Sequence, residues 1–247
     1  KEAPLIYKPS NFWIDLNKIH LKQLLDANID NFKRSVNMRY FNWGVLAIIR
    51  HQLSIVLSKI IKGNFEPILK SKFIYSDSKA KKKFKRFNFM SAFVYKIFVS
   101  SFADHISQID YLNLLDKIEE PLTGNPIVVN YKNRLISQDI CNSIHEFYTV
   151  IKFIKPSKKI SIAELGSGYG RLGYIFLKVL PKSSYTFIDI PPALYIAQFY
   201  MSKIFPKEKI FKFRPFSSFK IASILPLSLG FIGQVRDGTN LPSQISI

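Results

Sequence analysis

Glu164-Leu165-Gly166-Ser167-Gly168-Tyr169-Gly170 is the stretch that decides the fold of this 247-residue chain. It completes Lys159-Ile160-Ser161-Ile162-Ala163, and together they read as a strand ending in an acid, then a glycine loop. Three glycines at alternate positions let the backbone turn tightly and let a ligand approach with no Cβ in the way. Arg171 to Leu180, stopped by Pro181, reads as a helix whose first N–H groups face that loop. Tyr185 to Ile190 reads as a second strand, and Pro191-Pro192 opens a helix running to Ile204. Phe211-Lys212-Phe213 reads as a third strand. This alternation predicts an α/β fold with a Rossmann-like parallel sheet.

Asp189 stands about 20 residues beyond the last glycine, where a carboxylate can take the ribose hydroxyls of a nucleoside. The same loop contains Gly168-Tyr169-Gly170-Arg171-Leu172-Gly173, a literal G-x-G-x-x-G, so a dinucleotide such as NAD has to be weighed. Glu164 discriminates. A carboxylate at the strand tip repels a pyrophosphate but favours the ammonium and sulfonium of S-adenosylmethionine. The alternative for Glu164 is a purely local role, capping the loop through hydrogen bonds.

Glu-x-Gly-x-Gly-x-Gly at 164–170 resembles motif I of class I S-adenosylmethionine-dependent methyltransferases. With Arg171, with Phe187-Ile-Asp-Ile-Pro-Pro-Ala-Leu-Tyr195 and with Gln198, it is similar more specifically to the bacterial sugar O-methyltransferase family. Gly124-Asn-Pro126, Ile136-Ser-Gln-Asp139, Asn142-Ser143, Glu146 and Arg39-Tyr-Phe-Asn-Trp43 resemble that family too, so the likeness covers roughly residues 20 to 215. It implies that Glu164, Gly166, Gly168 and Gly170 contact the methionine end of the cofactor and that Asp189 holds the ribose. Gln138 and Asp139 would line the site, although Asp139 also suits the first turn of a helix.

The resemblance also implies a seven-stranded sheet, whose fourth strand supplies the residues nearest the transferred methyl. Beyond Phe219 no such strand with a polar end is legible, so the sheet is expected to be cut short after about three strands. Asp189-Ile190-Pro191-Pro192 differs from the Pro-Pro motif of amino-methyltransferases, which belongs to the fourth strand and has no intervening Ile. Neither His105 nor His145 has a recognisable catalytic context, so no catalytic base is named.

Upstream the chain reads as helical, with helix-period apolar residues over Leu21 to Asn31, Asn42 to Ile61 and Phe89 to Phe102. Ile127-Val128-Val129 reads as a short extended piece. Ser137 is a natural N-cap, and Ile140, Ile144, Phe147, Tyr148 and Ile151 form the apolar stripe of the helix it starts. The division expected is a helical region at 1–135 and a Rossmann-like methyltransferase domain at 136–247, incomplete at its C-terminus. The chain begins at Lys1 rather than Met, which fits a fragment or a processed product.

Lys and Arg outnumber Asp and Glu by 36 to 17, a net charge of +19. That balance suits a polyanionic partner, and Lys79-Ala-Lys-Lys-Lys-Phe-Lys-Arg-Phe87 could follow a phosphate backbone. It equally suits a solvated face in a Lys-, Ile- and Asn-rich chain. A single cysteine, Cys141, forbids an intrachain disulfide and a Cys-cluster zinc site and fits a cytoplasmic location. Cys141 and His145 share a helix face, but with no further ligand in reach no metal is expected. Trp43 to Ile61 carries Arg50, His51 and Lys59, so it reads as a buried amphipathic helix rather than a membrane span. Function is expected to be methyl transfer to a sugar hydroxyl in glycan synthesis. The alternatives are an RNA methyltransferase, on the strength of the charge, and a truncated, non-catalytic cofactor-binding remnant.

Overall fold

The computed structural model describes residues 10–35, 58, 72–74, 89–154, 160–206, 209–211 and 232–236. The helix expected over Asn42 to Ile61 lies outside these but for Ser58, and the Arg39–Trp43 patch and the basic run at Lys79–Phe87 lie outside them altogether. The chain divides into two compact units, Asn11–Lys155 and one built chiefly from Pro156–Ile247.

The first unit runs α1 (Asn11–Ala27), a 3-10 turn, α2 (Phe32–Ser35), β1 (Lys72–Ile74), α3 (Phe89–Ser107), α4 (Leu114–Lys117), β2 (Val128–Tyr131), β3 (Arg134–Ile136) and α5 (Gln138–Ile151). α1 starts ten residues before the Leu21 read from periodicity, and α3 runs on past Phe102 to Ser107. The Ile127–Val129 piece is β2, the middle strand of an antiparallel sheet in the order β1-β2-β3. Its hairpin partner escaped the sequence reading because the turn residues are Lys132 (φ 49) and Asn133 (φ 62). Both are left-handed, as a two-residue turn of this hand needs, yet neither is glycine.

Ser137 caps α5 as expected, its Oγ accepting from Ile140 N at 3.0 Å. The stripe Ile140, Ile144, Phe147, Tyr148 and Ile151 is buried, and α5 packs on α3, where Phe98, Val99, Phe102, Ala103 and Ile106 are buried. α5 therefore belongs to the unit Asn11–Lys155, although the sequence reading placed it with the following domain. A polar cluster underpins its start. Lys33 Nζ donates to Glu120 Oε1, both side chains being buried, and Ser137 Oγ donates to Glu120 Oε2 at 2.6 Å. Gly124 lies directly on Phe32, where a Cβ would sit 2.3 Å from the ring.

The second unit holds β4 (Ser161–Leu165), α6 (Arg171–Val179), β5 (Ser184–Ile188), α7 (Pro191–Ile204), β6 (Lys209–Phe211) and β7 (Ile232–Arg236). It mixes helix and strand as expected of an α/β unit, and β4 and β5 are parallel, with Glu164 opposite Phe187 and Leu165 opposite Ile188. Two expectations are corrected. The sheet has four described strands rather than about three, and it is mixed rather than all parallel. β7 enters between β5 and β6 and runs antiparallel to both, in the order β4-β5-β7-β6. β7 occupies the slot beside β5 and satisfies its ladder hydrogen bonds, so β6 follows the direction of β5 without touching it. β7 was missed because Gly233 interrupts a short apolar run, and a glycine inside a strand weakens its signal. Among the described residues β4 pairs only with β5, and Leu165 at its tip is 68% exposed.

Candidate functional site at the glycine loop

Four hydrogen bonds, two of them to the Asp189 carboxylate, hold the loop after β4. Gly166 N donates to Ile188 O at 2.8 Å, so the chain leaves β4 still anchored to β5. Gly168 N donates to Asp189 Oδ2 at 2.6 Å, and Ile190 N donates to Asp189 Oδ1 at 2.7 Å. Gly170 N donates to Ser167 O at 2.9 Å and begins the turn into α6. Asp189, only 5% exposed, thus fastens the middle of the glycine loop to the end of β5. The sequence placed Asp189 at the end of a strand but did not foresee this bond.

Glu164 lies on β4 within reach of β5, where the Tyr185 hydroxyl donates to Glu164 Oε2 at 2.9 Å. Tyr185 was not singled out from the sequence. The signal was there in the period of two: Tyr185 and Phe187 point to one face of β5, and the register places Glu164 opposite Phe187.

The glycines divide into two kinds. A Cβ on Gly166 or Gly168 would meet nothing within 4 Å. A Cβ on Gly170 would sit 2.7 Å from Met201 Cε and 2.9 Å from Phe187 Cε1. On Gly173 it would sit 2.5 Å from Phe187 Cε1. Gly166 and Gly168 therefore leave open space above the loop, whereas Gly170 and Gly173 let α6 close on β5 and α7. Tyr169 anchors the loop from below, fully buried and edge-on to Tyr200 with ring centroids 5.0 Å apart. Between the two open glycines, the Ser167 hydroxyl is buried and has no hydrogen-bond partner among the described residues.

The structure thus brings Glu164, Gly166, Gly168 and Asp189 together around one loop and gives Gly170 a packing contact. Gln138 and Asp139 sit in the first turn of α5, both buried, with Gln138 N donating to the Tyr95 hydroxyl at 3.1 Å. The burial of Tyr95 pushes its hydroxyl well above the ordinary tyrosine range, so that it acts as a neutral donor and acceptor. His145 packs against Phe102 with ring centroids 6.3 Å apart, and His105 lies in the last turn of α3. Cys141 is buried, which drives its thiol upward and keeps it protonated and unreactive. Among the described residues no group of three or more His, Cys, Asp or Glu side chains is placed to hold a metal ion. Nor, among them, is any helix long and apolar enough to cross a membrane.

No family model, curated protein or solved structure matches the chain.

Proposed function

We propose that this chain is an S-adenosylmethionine-dependent methyltransferase acting on a sugar hydroxyl in bacterial glycan synthesis, with its cofactor held at the 164–170 loop. The observation that carries the reading is the pairing of two open glycines, Gly166 and Gly168, with the carboxylates of Glu164 and Asp189 around one loop. The parallel β4–α6–β5 arrangement supports a Rossmann-like half-sheet beneath it. The residues fit the cofactor in two respects: the space above the glycines is open, and the buried Ser167 hydroxyl lacks a partner.

Bound there, the cofactor supplies a methyl group already activated by its sulfonium. The chain's part is binding and orientation. Glu164, steadied by Tyr185, would hold the α-ammonium and favour the positive end of the ligand. Asp189 fixes the loop and would offer remaining lone pairs to the ribose hydroxyls, since a carboxylate has about four lone-pair sites. The cytoplasm, where activated sugars and the methyl donor meet, is the compartment this reading implies.

A second reading, RNA methylation, rests on the +19 charge. Titration calorimetry decides among these readings. S-adenosylhomocysteine is expected to bind and NADH not to bind; the reverse order overturns the proposal. Tight binding of single-stranded RNA that collapses between 50 and 200 mM salt would favour the second reading over the sugar. Cofactor binding without methyl transfer to any acceptor would identify a non-catalytic remnant.

A further inference from the structure

We propose that the end of the second unit opposite the glycine loop is a docking surface for the phosphate backbone of single-stranded RNA, built from Lys178, Lys182 and Lys203. The inference does not depend on what the loop binds. Between residues 160 and 206 the acids are Glu164 and Asp189 alone, and both stand at the glycine loop. β4 and β5 are parallel, so α6 runs back from the loop and ends where β5 begins. Lys178 is in the last turn of α6, and Lys182 lies between that helix and β5. Lys203 is in the last turn of α7, which starts from the far end of β5. The rings of Phe205 and Tyr174, 6.1 Å apart, bring the end of α7 against α6. The five-residue strand β5 keeps these cations roughly 15 Å from the acids of the loop.

All three lysines are exposed, and none forms an ion pair among the described residues. The negative end of a helix dipole accounts for Lys178 and Lys203, but Lys182 belongs to neither helix. Aromatic rings hold two of the three in place. Lys178 Nζ is 5.4 Å from the centre of the Phe205 ring and 6.0 Å from that of Tyr174, and Lys203 Nζ is 5.8 Å from that of Phe199. Cations gathered with no acid between them are complementary to a polyanion. The residue type chooses phosphate: a carboxylate is matched by the planar fork of Arg, whereas Lys binds phosphate as a point charge. Between residues 174 and 183, and between 199 and 206, no large apolar side chain is exposed, so nothing there would enter a bilayer. A flexible single strand can reach cations spread over two helix ends and a loop.

The test is fluorescence anisotropy of a labelled oligouridine of about 12 nucleotides with the full chain, between 50 and 200 mM salt. The variant Lys178→Gln/Lys182→Gln/Lys203→Gln is compared with Lys22→Gln/Lys132→Gln/Lys152→Gln, which removes the same charge from exposed positions of the first unit. The first variant is expected to bind about tenfold or more weakly at 50 mM salt, and the slope of log affinity against log salt should fall by about 2. The second should bind nearly as the wild type does. Equal weakening of both variants would assign binding to net charge and overturns the inference. Unchanged binding of the first variant, no binding by the wild type at 50 mM salt, or equal affinity for a polyacrylate of matched charge overturns it too. Thermal unfolding checks that the variants fold. If the first is destabilised, Lys182→Gln alone, which disturbs no helix end, should still lower the slope by about 0.7, and an unchanged slope overturns the inference. Calorimetry with S-adenosylhomocysteine, expected to be the same for wild type and both variants, reports separately on the cofactor reading.

Discussion

The carboxylate of Asp189 holds the backbone N–H of Gly168 at 2.6 Å, so the residue that follows β5 also fixes the loop that follows β4. A side chain that reads as a ribose ligand in the sequence is, in the fold, a clamp on the loop that would carry the rest of the cofactor. On the proposed reading, binding and loop geometry would be coupled through this one residue.

Asp189→Ala should consequently act twice. Loss of charged hydrogen bonds costs about 1.5–3 kcal/mol, roughly 10- to 150-fold in affinity for S-adenosylhomocysteine. The unligated protein should also lose stability in denaturant titrations, because Gly168 N and Ile190 N lose their acceptor. A variant equal to the wild type in both measurements would remove Asp189 from the site.

Glu164 and Tyr185 should behave as a pair. Glu164→Gln is expected to weaken S-adenosylhomocysteine about tenfold and to leave 5′-methylthioadenosine nearly unaffected. Tyr185→Phe removes the 2.9 Å bond that steadies Glu164, with a smaller effect of the same selectivity. The double variant should be no weaker than Glu164→Gln alone; additive losses would show that the two act separately.

The glycines should separate stability from binding. Gly170→Ala forces a methyl group at φ +89 against Met201 and Phe187, and overpacking of this kind costs about 1–3 kcal/mol. Gly166→Ala at φ +78 meets no neighbour, so its fold cost is limited to backbone strain of about 1–2 kcal/mol. Its main effect should be on ligand affinity. Calorimetry beside thermal unfolding would reveal the contrast, and an equal pattern for both variants would contradict it.

The buried pair Lys33–Glu120 should be costly to halve and cheap to neutralise. Lys33→Met leaves the Glu120 carboxylate buried, and removing one partner of such a pair costs about 3–5 kcal/mol. Adding Glu120→Gln should restore most of the loss, since the amide oxygen still accepts from Ser137 Oγ. A double variant as unstable as the single one would argue against this account.

His20 should make stability depend on pH. It is fully buried on α1, and burial lowers its pKa from 6.5 to about 4. Between those values the unfolded chain binds the proton and the folded one does not, so stability is complete above about pH 6.5 and declines as pH falls toward 4. Carboxylates titrate near the lower limit, so the wild type must be compared with His20→Gln. Urea midpoints of the wild type should fall more steeply over pH 6.5 to 4.5 than those of the variant, and parallel curves would refute the assignment.

The local elements were legible because their causes are local. Ser137 caps α5 through its own Oγ, Pro191 opens α7, and the apolar period of α5 marks its buried face. The strand–glycine loop–helix–strand order, and the position of Asp189 at a strand end, follow from residues within a short span of chain. What only the tertiary structure decided depends on residues far apart in sequence. Nothing local tells that β7 inserts antiparallel beside β5, because strand order is set by competition for the same ladder groups. Nor does any local pattern join Lys33 to Glu120 across 87 residues, or Tyr185 to Glu164 across 21. The loop glycines look alike in the sequence. Side chains from β5 and α7 close on Gly170 and leave Gly166 and Gly168 open, so packing against distant residues separated the structural glycine from the two that can face a ligand.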